Sequence, residues 1–147
     1  MIPHTRCIFC EILGRRAEAS FVYEDEAVAA FMDILPINPG HALVVPRRHA
    51  ASLADLDPQD GARLFQVGQR VAEGLRKSGL RCEGVNLFLA DGEAAGQDVF
   101  HVHLHVFPRF KGDGFGHVFA PDYGKRPPRE QLDEWAEMIG EQIKRVS

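Results

Sequence analysis

Hydrophobic and polar positions along the chain follow two different periods. Ser20-Phe21-Val22-Tyr23 and Ala27-Val28-Ala29-Ala30-Phe31-Met32-Asp33 are short β-prone runs flanking the acidic turn Glu24-Asp25-Glu26, and they predict two strands. Ile34-Leu35-Pro36-Ile37-Asn38-Pro39-Gly40 cannot stay regular, because its prolines lack donors and its glycine favours a turn. His41-Ala42-Leu43-Val44-Val45-Pro46 reads as a third strand with proline at its end. A helical period then takes over. Asp57 can cap the helix and Pro58 suits its first position. Ala62, Phe65, Gly68, Val71, Ala72 and Leu75 share a stripe, and Gly79 marks the stop. Val85 to Ala90 predicts a strand, Asp91 to Gly96 a small-residue turn, and Val99 to Phe107 the strongest strand of the chain. Residues 110–126 read as a loop. Pro127-Pro128 opens a last helix with Leu132, Trp135, Met138, Ile139 and Ile143 on one stripe. Strands interrupted by few helices predict an α+β domain with a mostly antiparallel sheet.

Composition narrows the class. The 147 residues suit a single domain, and 45% hydrophobic with 26% charged residues is a globular balance. Seventeen Lys and Arg against 21 Asp and Glu give a net charge of -4, which argues against sequence-independent nucleic-acid binding. No apolar run approaches a membrane span, the first residues lack a signal-peptide pattern, and three cysteines make no disulfide framework. A cytoplasmic protein without membrane partners is the expectation.

The chemistry concentrates in Phe100-His101-Val102-His103-Leu104-His105-Val106-Phe107. In a strand, the three histidines would share one face while Val102, Leu104 and Val106 share the other. Strand geometry spaces neighbouring histidines by about 6.6 Å, too far for all three to hold one zinc ion at about 2.0 Å. At least one imidazole is therefore left for other work. Neutral imidazole is available near neutral pH and can attack phosphorus as a covalent nucleophile, provided an acceptor fixes its other nitrogen as N–H. A second imidazole can stabilise phosphate charge or assist the leaving group. No glycine-rich Lys-Ser/Thr loop of the phosphate-cradling kind occurs.

The stretch Gly96-Gln97-Asp98-Val99-Phe100-His101-Val102-His103-Leu104-His105-Val106-Phe107 resembles the signature of the histidine triad (HIT) nucleotide hydrolases and transferases. The likeness extends to Cys7-Ile8-Phe9-Cys10-Glu11-Ile12, to Phe31-Met32-Asp33-Ile34-Leu35-Pro36 and to Pro39-Gly40-His41-Ala42-Leu43-Val44-Val45-Pro46, covering roughly residues 5–110. It implies a histidine triad-like fold, with a five-stranded, mostly antiparallel sheet, one long helix and a C-terminal helix. One such domain would span 1–147, with residues 111–147 as C-terminal loop and helix. It also implies a homodimer and a purine-nucleotide site. Carried over, His103 is the nucleophile on the α-phosphate and His105 contacts phosphate. Gln97 bonds phosphate or leaving group, and His41 supports the nucleophile from a neighbouring strand. Asp33 binds ribose hydroxyls, while Phe31 and Ile34 line the base pocket. Two positions depart from the usual pattern. Asp98 stands where many relatives carry Ser or Thr, and Ala90 where Asn or Gln is frequent.

Cys7-x-x-Cys10 reads as half of a structural zinc site that needs two further ligands. The resemblance supplies His49 and His101 for that role. Cys82 reads as structural, and His4 and His117 as surface residues. Arg47, Arg48 and Arg109 read as solvated cations that could attract phosphate. The expected activity is cleavage at the α-phosphate of dinucleoside polyphosphates or nucleoside 5′-phosphoramidates through a nucleotidyl-histidine intermediate. Alternatives from the sequence are a phosphorylase or nucleotidyltransferase, a nucleotide-binding regulator with little turnover, and a metal-sensing or metal-storage domain. Pro108-Arg109-Phe110-Lys111-Gly112-Asp113 looks closer to the dinucleoside-polyphosphate branch.

Overall fold

A computed structural model describes residues 7–144, so His4 lies outside the described residues. They gather into two compact units, one ending at Phe115 and the other starting at Gly116. The first holds helix α1 (Ile8–Leu13), strands β1 (Phe21–Glu24), β2 (Val28–Met32) and β3 (Ala42–Pro46), helix α2 (Pro58–Lys77), and strands β4 (Gly84–Leu89) and β5 (Leu104–Arg109). The second holds helix α3 (Arg129–Lys144), preceded by a stacked Phe119–Tyr123 pair with centroids 3.9 Å apart.

The five strands form one antiparallel sheet in the order β1-β2-β3-β5-β4. The inner strands β2 and β3 are apolar on both faces because both faces are covered. Val28, Ala30, Ala42, Val44, Leu104 and Val106 pack against Leu64, Val67, Val71 and Leu75 of α2. Ala29, Phe31, Leu43 and Val45 point the other way and pack against Phe9 and Ile12 of α1. The second layer carries the chemistry.

Helix α2 begins as its sequence predicts, with the Asp57 carboxylate accepting from the Gln59 N–H at 2.8 Å and Pro58 in the first turn. Its buried stripe is Leu64, Val67, Gly68, Val71 and Leu75, and Phe65, expected inside, is exposed. Phe65 sits about 100° around the helix from Leu64, and the sheet selected the Leu64 row. Gly68 permits the close approach, since a Cβ there would lie 2.9 Å from Leu104 Cδ2. Helix α1 carries no readable period because it spans only six residues. The Cys7 thiol caps it, accepting from the Cys10 N–H at 3.4 Å.

The last strand is shorter than its sequence predicts. The ladder begins at Leu104, so His101 and His103 precede it. The reason lies in competing partners. The Val102 N–H bonds to the Ala50 carbonyl at 2.8 Å, and the Pro46 carbonyl accepts from the His101 ring. Alternation nevertheless persists, with Val102, Leu104 and Val106 in the α2 layer and the imidazoles opposite. Those imidazoles are not on an open face. His101 and His103 are 0% and 3% exposed.

The turn before His41 depends on Gly40, whose φ of 106° is a region that only glycine enters freely. A Cβ there would also meet Leu75 Cδ2 at 2.8 Å. Gly40→Ala is expected to lose about 2–3 kcal/mol, visible as a melting temperature lowered by roughly 5–10 °C. Among the described residues, no helix is long and apolar enough to cross a membrane.

Candidate active site

Four histidines carry hydrogen bonds that fix which nitrogen bears the proton. The His103 Nδ1–H donates to the His101 carbonyl at 2.8 Å, because a carbonyl can only accept. Its Nε2 therefore presents a lone pair. The Ile37 backbone N–H donates to His41 Nδ1 at 3.0 Å, so His41 carries its proton on Nε2 and donates it to His105 Nδ1 at 2.9 Å. His105 is left with an Nε2–H. One backbone amide thus sets the tautomer of two rings. The result is a nucleophilic nitrogen on His103 beside a donor on His105, ring centroids 4.8 Å apart.

Burial keeps His41 and His105 neutral. It pushes His105 down to about 4, helped by His103 and His41 and opposed by Asp33 and Asp98. Burial likewise lowers His41, against the attraction of Asp33. Above the unfolded value near 6.5 the folded state has its full advantage, and protons bind the unfolded chain first as pH falls toward 4. His105 should contribute up to roughly 3 kcal/mol at pH 7.5 that is gone by about pH 4. The gap in denaturant midpoint between wild type and His105→Gln should be constant above about pH 6.5 and should move against wild type as pH falls toward 4. Parallel curves would show that His105 is not held neutral.

The rings open into a cleft of about 280 Å³ whose lining includes Phe9, Ile12, Phe31, Asp33, Ile34, Leu43, Asp98, Val99, His103 and His105. Phe31 is buried at its floor, in edge contact with Phe9 at 5.4 Å, and Ile34 is 88% exposed at its rim. Asp33 Oδ1 accepts from the Leu35 N–H, while Oδ2 lies 3.5 Å from His41 Nε2 and 3.9 Å from His105 Nδ1. Phe9, Ile12, Leu43 and Val99 were not legible as site residues. Phe9 and Ile12 lie on the buried side of the six-residue α1, too short a helix for its sequence to show a period. A second cavity, about 430 Å³, lies between α2 and the opposite face of the sheet. Among its described lining residues none is a histidine and one, Arg70, is charged.

Gln97 is buried and fully engaged by the chain itself. Its Oε1 accepts from the Gly92 N–H at 2.8 Å, and its Nε2 donates to the Ala51 and Val99 carbonyls at 2.8 and 3.0 Å. As placed, it braces the turn that carries Asp98. Arg109 is tied to Asp113, Asn86 and the Phe115 carbonyl, and Arg47 to Glu24 and the Asp25 carbonyl. Arg48 is solvated.

Cys7, Cys10, His49 and His101 converge behind the triad, with ligand atoms all within 4.8 Å of one another. Cys7 Sγ and His101 Nδ1 are 3.4 Å apart, Cys10 Sγ and His49 Nδ1 3.4 Å, and the two Nδ1 atoms 3.2 Å. Tetrahedral zinc with ordinary bond lengths has S–N edges of about 3.5 Å and N–N edges of about 3.3 Å. The match is close. His101 Nε2–H donates to the Pro46 carbonyl at 2.8 Å, so its Nδ1 carries the lone pair aimed at the cluster. Burial lowers His101 to about 4, and burial together with the Cys7 thiol raises Cys10 to about 11. A cation among them would relieve both. Asp33, His41 and His105 also converge, but the Ile37 N–H occupies His41 Nδ1 and forces the proton onto the very nitrogen a metal would need.

The profile of the HIT domain matches residues 15–112. An uncharacterised HIT-like protein of Borreliella burgdorferi is 43% identical over 111 residues, covering 75% of this chain and 80% of its own. A crystal structure of a zinc-bound histidine triad family protein from Mycobacterium smegmatis superposes with a TM-score of 0.73 at 38% identity, covering 97% and 99% of the two chains. A histidine triad nucleotide-binding protein from Candida albicans gives a TM-score of 0.84 at 26% identity, covering 96% and 99%. With the profile spanning most of the imidazole-bearing unit, this chain belongs to the histidine triad family.

Proposed function

We propose that the protein is a nucleotide hydrolase acting at the α-phosphate of a purine nucleotide through a covalent nucleotidyl-His103 intermediate. The supporting observation is the His101 carbonyl on His103 Nδ1–H, which leaves Nε2 as a nucleophile at a cleft lined by Phe31, Asp33, Ile34 and His105. In the first step the Nε2 lone pair forms a bond to phosphorus, and the bond to the leaving group breaks with its electron pair going to that group. The imidazolium so formed keeps its Nδ1–H on the carbonyl, which favours the charged ring. His105 Nε2–H donates to a phosphate oxygen, and His41 holds that ring in its donating tautomer. In the second step water attacks phosphorus and loses a proton to solvent, and the electron pair of the P–N bond returns to Nε2. Asp33 accepts from the ribose hydroxyls, and Phe31 and Ile34 bracket the base. Gln97 serves by holding the turn.

Zinc at Cys7, Cys10, His49 and His101 would clamp α1 to the triad segment and supply no electrophile to the reaction. Two copies would associate as a homodimer, for which the outermost strand β4 offers exposed Leu87 and Phe88. The reading is tested by rapid acid-free quench of the enzyme with α-labelled adenosine substrates. Label on His103 that is stable in base and lost in acid supports it, and turnover without a labelled protein refutes it.

A further inference from the structure

The cleft has one sign of charge. Glu18, Asp33 and Asp98 line it, and among its described lining residues none is Lys or Arg. Arg15 stands on a groove that shares Glu18, Ala19, Met32 and Ile34 with the cleft, but it is paired with Glu24 and lies over the Phe21 ring at 3.7 Å. The neighbouring imidazoles His41 and His105 are held neutral by burial. Such a site accommodates the single negative charge of one bridging phosphate through imidazole donors. It offers nothing to the further charges of a polyphosphate tail.

Asp98 sharpens the point. Its Oδ1 accepts from the Val99 N–H at 2.9 Å and lies 3.5 Å from His103 Nε2, with its side chain 80% exposed. A carboxylate oxygen and a nucleophilic lone pair thus face each other at the mouth, where the part of a substrate beyond the α-phosphate must pass. Between two acceptors, a proton-bearing or cationic group is favoured and an anionic one disfavoured.

Building on the proposed nucleotidyl transfer, we infer that Asp98 makes the enzyme selective for nucleoside 5′-phosphoramidates whose amine leaving group carries positive charge, and against polyphosphates. The phosphoramidate nitrogen is protonated by solvent, His103 Nε2 forms its bond to phosphorus, and the P–N bond to the amine breaks. Its electron pair stays on the departing nitrogen, which leaves as a neutral amine while any second ammonium on the leaving group is retained. Asp98 stabilises the protonated nitrogen before cleavage, whereas the same carboxylate repels the anionic tail of a dinucleoside polyphosphate.

The test compares three substrates that share adenosine monophosphate: its amide with diaminobutane, its amide with butylamine, and diadenosine tetraphosphate. Wild type should rank them in that order by kcat/KM. Asp98→Asn keeps the shape and removes the charge. It should lower the first by roughly tenfold and raise the last by roughly tenfold, both effects shrinking in molar salt. Opposite movement is the signature of charge, since a loosened loop would depress all three. If Asp98→Asn moves every substrate in the same direction, or wild type prefers the tetraphosphate, the inference is overturned while the covalent mechanism stands. Trapping separates the two: if none of the three labels His103 in wild type, the proposed mechanism fails and carries this inference down with it.

Discussion

His103→Asn is expected to lower kcat/KM for an adenosine phosphoramidate by about 10⁴-fold or more, with no label trapped on the protein. The choice of Asn matters. Its amide can occupy the place of Nδ1–H and keep the His101 carbonyl satisfied, whereas the nucleophilic Nε2 has no counterpart. Alanine would leave that carbonyl without its donor, at about 1–3 kcal/mol, and would strip a ring that packs edge-on to Phe9 at 5.1 Å. A fall in activity would then be confused with a fall in stability. With Asn, the melting temperature should stay within a few degrees of wild type while the rate collapses by roughly 5 kcal/mol of barrier. Residual turnover within tenfold of wild type would mean that another group attacks phosphorus.

That prediction rests on a feature outside the reach of pattern reading. Three alternating histidines announce that imidazoles will share a face, and the expected antiparallel sheet, long helix and resemblance to the family all appear in the structure. Their protonation is decided by groups without side-chain identity: the carbonyls of His101 and Pro46 and the N–H of Ile37. Ile37 sits in a Pro-rich turn that reads only as irregular. Its irregularity is what frees a backbone N–H to point at a ring.

Other differences have similarly local causes. The ladder starts at Leu104 because Pro46, at the end of β3, gives its carbonyl to the His101 ring. Gln97, to which the resemblance gives a contact with phosphate or leaving group, spends both amide hydrogens on the Ala51 and Val99 carbonyls. Arg109 looked like a solvated cation, yet it bonds Asp113, Asn86 and the Phe115 carbonyl, and its guanidinium holds Asp113 well below the usual carboxylate range. In each case a partner distant in sequence claimed the side chain: the Pro46 carbonyl for His101, the Ala51 carbonyl for Gln97 and the Asn86 amide for Arg109. Sequence spacing carries no trace of such partners.

The cluster behind the triad yields the second large effect. Cys7→Ser combined with Cys10→Ser should abolish stoichiometric zinc, about one ion per chain by elemental analysis in wild type. It should cost at least about 3 kcal/mol, seen as a melting temperature lowered by roughly 10 °C or more. Structural zinc can supply far more than this in small domains, but here the α2 layer of the core stays in place without it. The loss should fall on α1, because Cys7 caps that helix and Phe9 and Ile12 cover the second layer. Catalysis should weaken as well, although neither cysteine lines the cleft. Without a shared cation, the His101 Nδ1 lone pair is left with only the His49 ring at 3.2 Å, a single contact in place of a four-ligand clamp on the His101 ring. His101 is the residue whose carbonyl orients His103, so its displacement loosens the tautomer that attack requires. A drop of about tenfold in the rate of His103 labelling, at a temperature where the variant is still folded, is the expected result. Wild-type protein that carries no metal and melts at the same temperature before and after chelation would refute the zinc site, and labelling unchanged in the double variant would uncouple it from the nucleophile.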